Sequence, residues 1–190
     1  PFHYDFRTEM GDFLGGRDFE TGFYGELCLP IGLVNNLSAD YLTPPTSWGT
    51  EIAKIISSFP EYLISISPSY SDTDSIISVD TEITTNLTNT RKLALMVLVV
   101  EDDIIEWQRD YSLAESDVEN YEHNHVLRGS FNGNFGEIIK DNNEQTENGD
   151  VLQKSYSLKS GSDWDIENCI IVAFVYDDEI SSKQYFTVCI

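Results

Sequence analysis

The run Leu93-Ala94-Leu95-Met96-Val97-Leu98-Val99-Val100 constrains this chain more than any other segment. Written as an extended strand, it turns Leu93, Leu95, Val97 and Val99 to one face and Ala94, Met96, Leu98 and Val100 to the other, so both faces must be buried. It falls far short of the roughly 20 apolar residues that a membrane-crossing helix requires. The segment is therefore expected to be a central strand, and nothing in the sequence is expected to span a bilayer. From Glu61 onward, short β-rich runs alternate with polar, turn-forming clusters, the pattern of an antiparallel sandwich or barrel. Strands are expected at about residues 62–67, 76–85, 92–101, 104–111, 123–130, 153–159, 169–176 and 184–190, with ends uncertain by about 2 to 4 residues.

The first sixty residues have a different texture, rich in glycine and sparse in strand-like alternation. One helix stands out over about residues 47–58: Thr46 or Ser47 can cap it, Glu51 favours its first turn, and Ile52, Ile55, Ile56 and Phe59 recur on one face. Pro44-Pro45 enforces an extended approach and Pro60 marks the end. The expected division is a segment over residues 1–60 and an antiparallel β-sandwich over 61–190, α+β overall and jelly-roll-like in its second part.

Charge narrows the partners. With 33 acidic against 11 basic residues the formal net charge is −22. Nucleic-acid binders gain affinity by neutralising phosphates with Lys and Arg, and anionic membrane surfaces attract the same residues, so both partners are excluded. Residues 1–7 carry no basic region, apolar core or lipid-modified cysteine, so any signal or lipid anchor is expected either to have been removed or to lie outside this stretch of chain, and location is not read from the ends.

The chemistry-bearing motifs are few. Cys28, Cys169 and Cys189 form no CxxC or other tight pair. A hairpin centred near Glu179 would set Cys169 opposite Cys189, within reach of a cross-strand disulfide, with two buried thiols as the alternative. His123 and His125 flank Asn124, and on one strand their side chains would share a face and approach one metal ion. Two ligands do not make a zinc site, so they are weak candidates beside a structural role. The stretch Asp141 to Asp150 alternates oxygen donors, but Thr146 and Leu152 stand where a calcium loop needs Gly and Glu. It is expected to be an exposed hairpin loop. Pairs such as Asp102 with Asp103 or Asp163 with Asp165 follow from abundance alone, and glycosidase chemistry needs a separation that sequence does not give. Trp107 and Trp164 suit sugar stacking but sit more naturally in core or rim positions. No GxSxG, P-loop or HExxH occurs, so no catalytic residue, cofactor or enzyme activity is expected.

Several segments taken together, LPIGLVN at Leu29 to Asn35, VVEDDIIEWQ at Val99 to Gln108, YEHNHVLRG at Tyr121 to Gly129 and NCIIVAFVYD at Asn168 to Asp177, resemble the twenty-eight-kilodalton outer-membrane-protein family of Bacteroidetes-type bacteria. The most specific piece is Glu101-Asp102 and Gln108 followed at a distance by His123-Asn124-His125 and Arg128. The resemblance implies a bacterial cell-surface or outer-membrane-associated, lipoprotein-like protein in which a thioredoxin-like domain precedes an antiparallel sandwich. It makes Pro30 the candidate cis-proline and residues 1–60 a partial thioredoxin-like segment, whose strand and helix upstream of Pro1 are missing. An edge left open there would recruit a second copy or be covered by an irregular N-terminal arrangement. The leading expectation is a non-catalytic binding or envelope-interaction module with an unidentified protein or glycan partner. The alternatives are a thiol-disulfide oxidoreductase-like protein whose redox half lies outside this chain, and a carbohydrate-binding or carbohydrate-active sandwich.

Overall fold

The computed structural model describes residues 6–15, 45–110, 112–178 and 184–189. Among these residues, helices α1 (Glu9–Gly15) and α2 (Pro45–Ile56) precede ten strands: β1 (Tyr62–Ser71), β2 (Ile76–Thr85), β3 (Leu93–Glu101), β4 (Ile104–Arg109), β5 (Asp117–His123), β6 (Val126–Ser130), β7 (Glu137–Lys140), β8 (Val151–Lys159), β9 (Cys169–Asp177) and β10 (Gln184–Cys189). One sheet has the order β1-β2-β8, a second β10-β9-β3-β6 with β7 also on β3, and β4-β5 form a separate ribbon. All pairings are antiparallel. Three strands face five, where a jelly roll distributes eight strands over two sheets.

The sequence pattern explains which sheet is which. In β2 the residues Ile77, Val79, Thr81, Ile83 and Thr85 are buried while Asp80 and Glu82 are exposed, the alternation of a sheet with one wet face. On β3 the expected double burial holds. Leu93, Leu95, Val97 and Val99 join Tyr62, Ile77, Val79, Ile83, Ile171, Ala173 and Val175 in the core between the sheets. Its opposite face, Ala94 and Met96, packs with Met10 of α1 and with Tyr176, and Leu98, Leu127 and Phe174 close around them. Each buried aliphatic side chain contributes about 1.5–3 kcal/mol of transfer free energy. Met10 therefore belongs to the core of the second sheet, and the packing crosses the boundary expected at residue 60.

Four expectations change. The strand expected at 123–130 is two strands, because His125 adopts a left-handed backbone (φ 57°) that an extended run does not tolerate. The polar stretch after Lys140 links β7 of one sheet to β8 of the other, so it is a crossover and not a hairpin, and its Thr146 is buried and bridged to Asn89. The β9-β10 register sets Cys189 opposite Ala173, while Cys169, a free thiol, pairs with Glu101 of β3. Four residues of strand, about 13 Å, separate Cys169 from the expected partner position, beyond disulfide reach. Helix α2 starts at Pro45, a residue preadapted to a first helical position, with Ile52 and Ile56 exposed on its surface. Pro30 and Cys28 lie outside the described residues.

Candidate functional site: a clasp of two turns over a buried ion pair

The most specific part of the sequence signature converges on the end of β3, where two turns dock against each other. The β3-β4 turn places Asp103 in the left-handed region (φ 58°), and the β5-β6 turn does the same to His125. Asp and His are among the non-glycine residues that accept this conformation. Each turn binds the other: the His125 backbone N–H donates to Asp102 Oδ1 (2.5 Å), and the Asp103 N–H donates to Asn124 Oδ1 (3.0 Å). Asn124 Nδ2 in turn donates to Glu122 Oε1 (3.0 Å), fixing which way the amide points.

Beneath the clasp lies a charge pair withdrawn from water. Glu101, at the last position of β3, and Arg128, in β6, have side chains only 5% and 6% exposed, with Arg128 Nε 3.1 Å from Glu101 Oε2. This contact is a pairing of charges more than a linear hydrogen bond. Arg128 also bridges to Asp163, and its guanidinium lies 5.4 Å from the centre of the Trp164 ring. The other oxygen of Glu101 accepts the backbone N–H of Asp165 (2.9 Å). The crossover from β8 to β9 is thereby drawn over Arg128. It fits because residue 161 is glycine: a Cβ there would lie 2.4 Å from Trp164 Nε1. Trp164 packs against the main core rather than offering a free ring to a sugar.

The two histidines weighed as weak metal candidates have different surroundings. His123, at the end of β5, packs at a tilt against Phe6 (4.9 Å between ring centres) and edge-on to Tyr121 (4.8 Å), with its Nε2 buried and without a hydrogen-bond partner among the described residues. His125 is exposed, its Nδ1 3.6 Å from Asp102. Among the described residues no three His, Cys, Asp or Glu side chains are grouped so as to hold a metal ion. Cys169, half-buried beside the ion pair, has its thiol pushed up to about 11 by burial and by the nearby Glu101 charge, which Arg128 only partly offsets. A thiol held protonated in this way is a poor nucleophile at neutral pH.

A second candidate lies on the wet face of the β1-β2-β8 sheet. A cleft of about 350 Å³ is lined by Ser65, Ser67, Asp80, Glu82, Gln153 and Ser155. The register builds it as two rows, Ser67-Asp80-Ser155 and Ser65-Glu82-Gln153. Ser155 donates to Asp80 Oδ1 (2.6 Å) and Gln153 to Glu82 Oε2 (2.9 Å), and among the described residues the second oxygen of each carboxylate is uncommitted.

With this geometry in place, comparison with known proteins is decisive. The family model described as Outer membrane protein Omp28 matches residues 21–185. The chain belongs to the Omp28 family. A solved structure, that of a domain of the outer membrane lipoprotein Omp28 from Porphyromonas gingivalis, is similar at 26% identity over 70% of this chain and 87% of that one, with a TM-score of 0.44. No curated protein matches. Membership of the Omp28 family makes this an outer-membrane-associated protein. No helix among the described residues is long and apolar enough to cross a membrane.

Within the Omp28 match lie both sides of the clasp. Sequence reasoning marked Glu101, Asn124 and Arg128 only through the resemblance and weighed His125 as a weak metal candidate and Asp102 as one of many paired carboxylates, and it missed that these residues pair with one another. The roles of Asp163, Trp164 and Gly161 were not legible, because the crossover that brings them to Arg128 is set by sheet topology. The one local signal was the juxtaposition of Gly161, acidic residues and Trp164 in a short turn.

Proposed function

We propose that this outer-membrane-associated chain is a non-catalytic binding module whose ligand face is the wet side of the β1-β2-β8 sheet. The observation that carries this is the contrast in how polar groups are engaged. In the clasp the signature residues bind one another, whereas in the cleft, among the described residues, Asp80 and Glu82 each keep an acceptor oxygen beside the hydroxyls of Ser65 and Ser67. Carboxylate oxygens flanked by hydroxyls and an amide suit a ligand rich in hydroxyl donors and free of negative charge, so the carbohydrate-binding form of the proposal is the better supported one. The surface for it is this cleft and not Trp164. The thiol-disulfide alternative draws no support from Cys169, whose thiol is held protonated.

Residues 1–60 as the remaining half of a thioredoxin-like unit, and attachment through a lipidated N-terminus, belong to the same proposal. The first is supported by a helix, Pro45–Ile56, near the expected place. Mass spectrometry of the mature protein isolated from membranes checks the second. The ligand reading is tested on immobilised glycans. Retention of neutral oligosaccharides by the native protein, lost in the double variant Asp80→Ala, Glu82→Ala with the fold intact by circular dichroism, is the expected result. Equal retention by both proteins, or by neither, would remove the cleft from the proposal, and release of sugar from any glycan would remove its non-catalytic part.

A further inference from the structure

We propose that β8 pairs with β8 of a second copy of this chain, antiparallel and centred on Ser155, so that two three-stranded sheets become one continuous sheet of six. The inference is independent of what the cleft binds.

Strand β8 ends its sheet, and among the described residues no strand pairs with its outer side. Its register against β2 runs unbroken from Ile76↔Lys159 to Thr84↔Val151, with no bulge, proline or glycine in the strand. Half of its backbone N–H and C=O groups therefore face outward in a regular row, the arrangement that adds another strand. Two other strands with an open side, β1 and β5, are protected differently. In β1 the edge carries Pro68, and β5 has a register irregularity against β4 and the carboxylates of Asp117, Glu119 and Glu122. A strand of a chain with net charge −22 is a poor self-partner where it is acidic; β8, VLQKSYSLK, contains no Asp or Glu and two lysines.

The second copy is favoured because β8 is self-complementary about its midpoint. With Ser155 opposite Ser155, every residue from Val151 to Lys159 is paired. Leu152 meets Leu158 and Lys154 meets Tyr156 on the inward face, while Gln153 meets Ser157 and Val151 meets Lys159 on the outward face. Asp150 precedes Val151 directly and falls opposite Ser160 of the other copy, one position from Lys159, so each end brings an acidic and a basic residue close together. Pairing centred on Lys154 would oppose two like charges and is disfavoured. An inward-pointing lysine ordinarily blunts a sheet edge. Here Lys154 is already neutralised by Glu137 of β7, and the proposed register turns it toward an aromatic ring. The result is an isologous two-fold contact.

The experiment uses cysteine scanning with sedimentation equilibrium. Directly opposed residues in an antiparallel pair have Cα atoms about 4.5–5.5 Å apart, within disulfide range. Under mild oxidation Ser155→Cys, on an exposed position, is expected to form a covalent dimer. Ser67→Cys, on the same face two strands away, is expected to match the background set by the native cysteines. Unmodified protein is expected to self-associate, and Lys159→Glu, which places a like charge near Asp150 of the other copy, to weaken that association by about tenfold. A monomer at high micromolar concentration would overturn the proposal. So would a dimer that Ser155→Cys traps no better than Ser67→Cys, or one that Lys159→Glu leaves unchanged.

Discussion

The two sheets answer the same requirement in opposite ways. In the sheet built on β3 the central strand is dry on both faces, one against the partner sheet and one under α1, and even its terminal glutamate is buried against an arginine. In the β1-β2-β8 sheet only one face is dry, and the other presents hydroxyls, carboxylates and an amide to solvent. The first sheet is organised for rigidity and the second leaves surface free for contact. Stability should therefore concentrate in the first and tolerance to substitution in the second, a contrast that can be broken by measurement.

The largest effect is expected at the buried ion pair. Arg128→Ala leaves Glu101 charged, dry and without its counter-charge, which costs about 3–5 kcal/mol, whereas replacing both partners by neutral groups of similar volume is close to neutral. Urea unfolding of Arg128→Ala and of the double variant Arg128→Met, Glu101→Gln measures the difference. Recovery of most of the lost stability in the double variant is expected. If it unfolds as readily as the single one, the cost comes from lost packing on Trp164 and not from the stranded charge.

Next come substitutions that set the two sheets side by side. Leu95→Ala, in a fully buried position of β3, is expected to cost about 2–5 kcal/mol, while Ser67→Ala on the wet face should fall within about 0.5 kcal/mol of the native protein. The β3 sheet has a second sensitive point at Gly136, whose φ is +71° and where a Cβ would sit 2.2 Å from the Leu95 carbonyl oxygen. Gly136→Ala is expected to lose at least about 2 kcal/mol, from left-handed strain together with that collision. Thermal unfolding of the three variants orders them, and a Ser67→Ala protein as unstable as Leu95→Ala would abolish the distinction between the faces.

How much of this was legible follows from the same contrast. The dry strand announced itself because eight consecutive apolar residues have no other way to be buried, and β2 announced itself by strict alternation. The β4-β5 ribbon was half missed: β5, DVENYEH, has five exposed residues of seven, so burial left no imprint on its composition. Strand β7 is four residues long and too short to show a period. The cysteine pairing failed because hairpin register depends on turn geometry, which residue positions alone do not fix, and a shift of a few residues moves Cys169 out of range. The clasp was visible as an unusual string of residues but not as geometry, since the pairing of Glu101 with Arg128 requires β3 and β6 to be neighbours.

The smallest effect tests the seam where the two sheets meet. Glu137 of β7 accepts from both Lys154 and Tyr156 of β8, so one carboxylate ties the rigid sheet to the open one. The Lys154 contact, helped by Tyr156 and opposed by slight burial, holds the carboxyl below its usual range. Burial, reinforced by the hydrogen bond to Glu137, raises the Tyr156 hydroxyl above its ordinary value. A depressed carboxyl stabilises the fold above its unfolded pKa of about 4.3 and loses that contribution as pH falls through the folded value. A raised phenol stabilises below about pH 10 and loses its contribution as pH rises beyond. Because Glu137 and Lys154 are each about one-third exposed, the contribution is screened and should stay below about 1 kcal/mol. Urea midpoints of the native protein and Glu137→Gln should differ at neutral pH and converge as pH falls through the depressed folded value and the native carboxyl becomes protonated. A difference that persisted unchanged into acid would mean that the shape of the Glu137 side chain, and not its charge, joins the sheets.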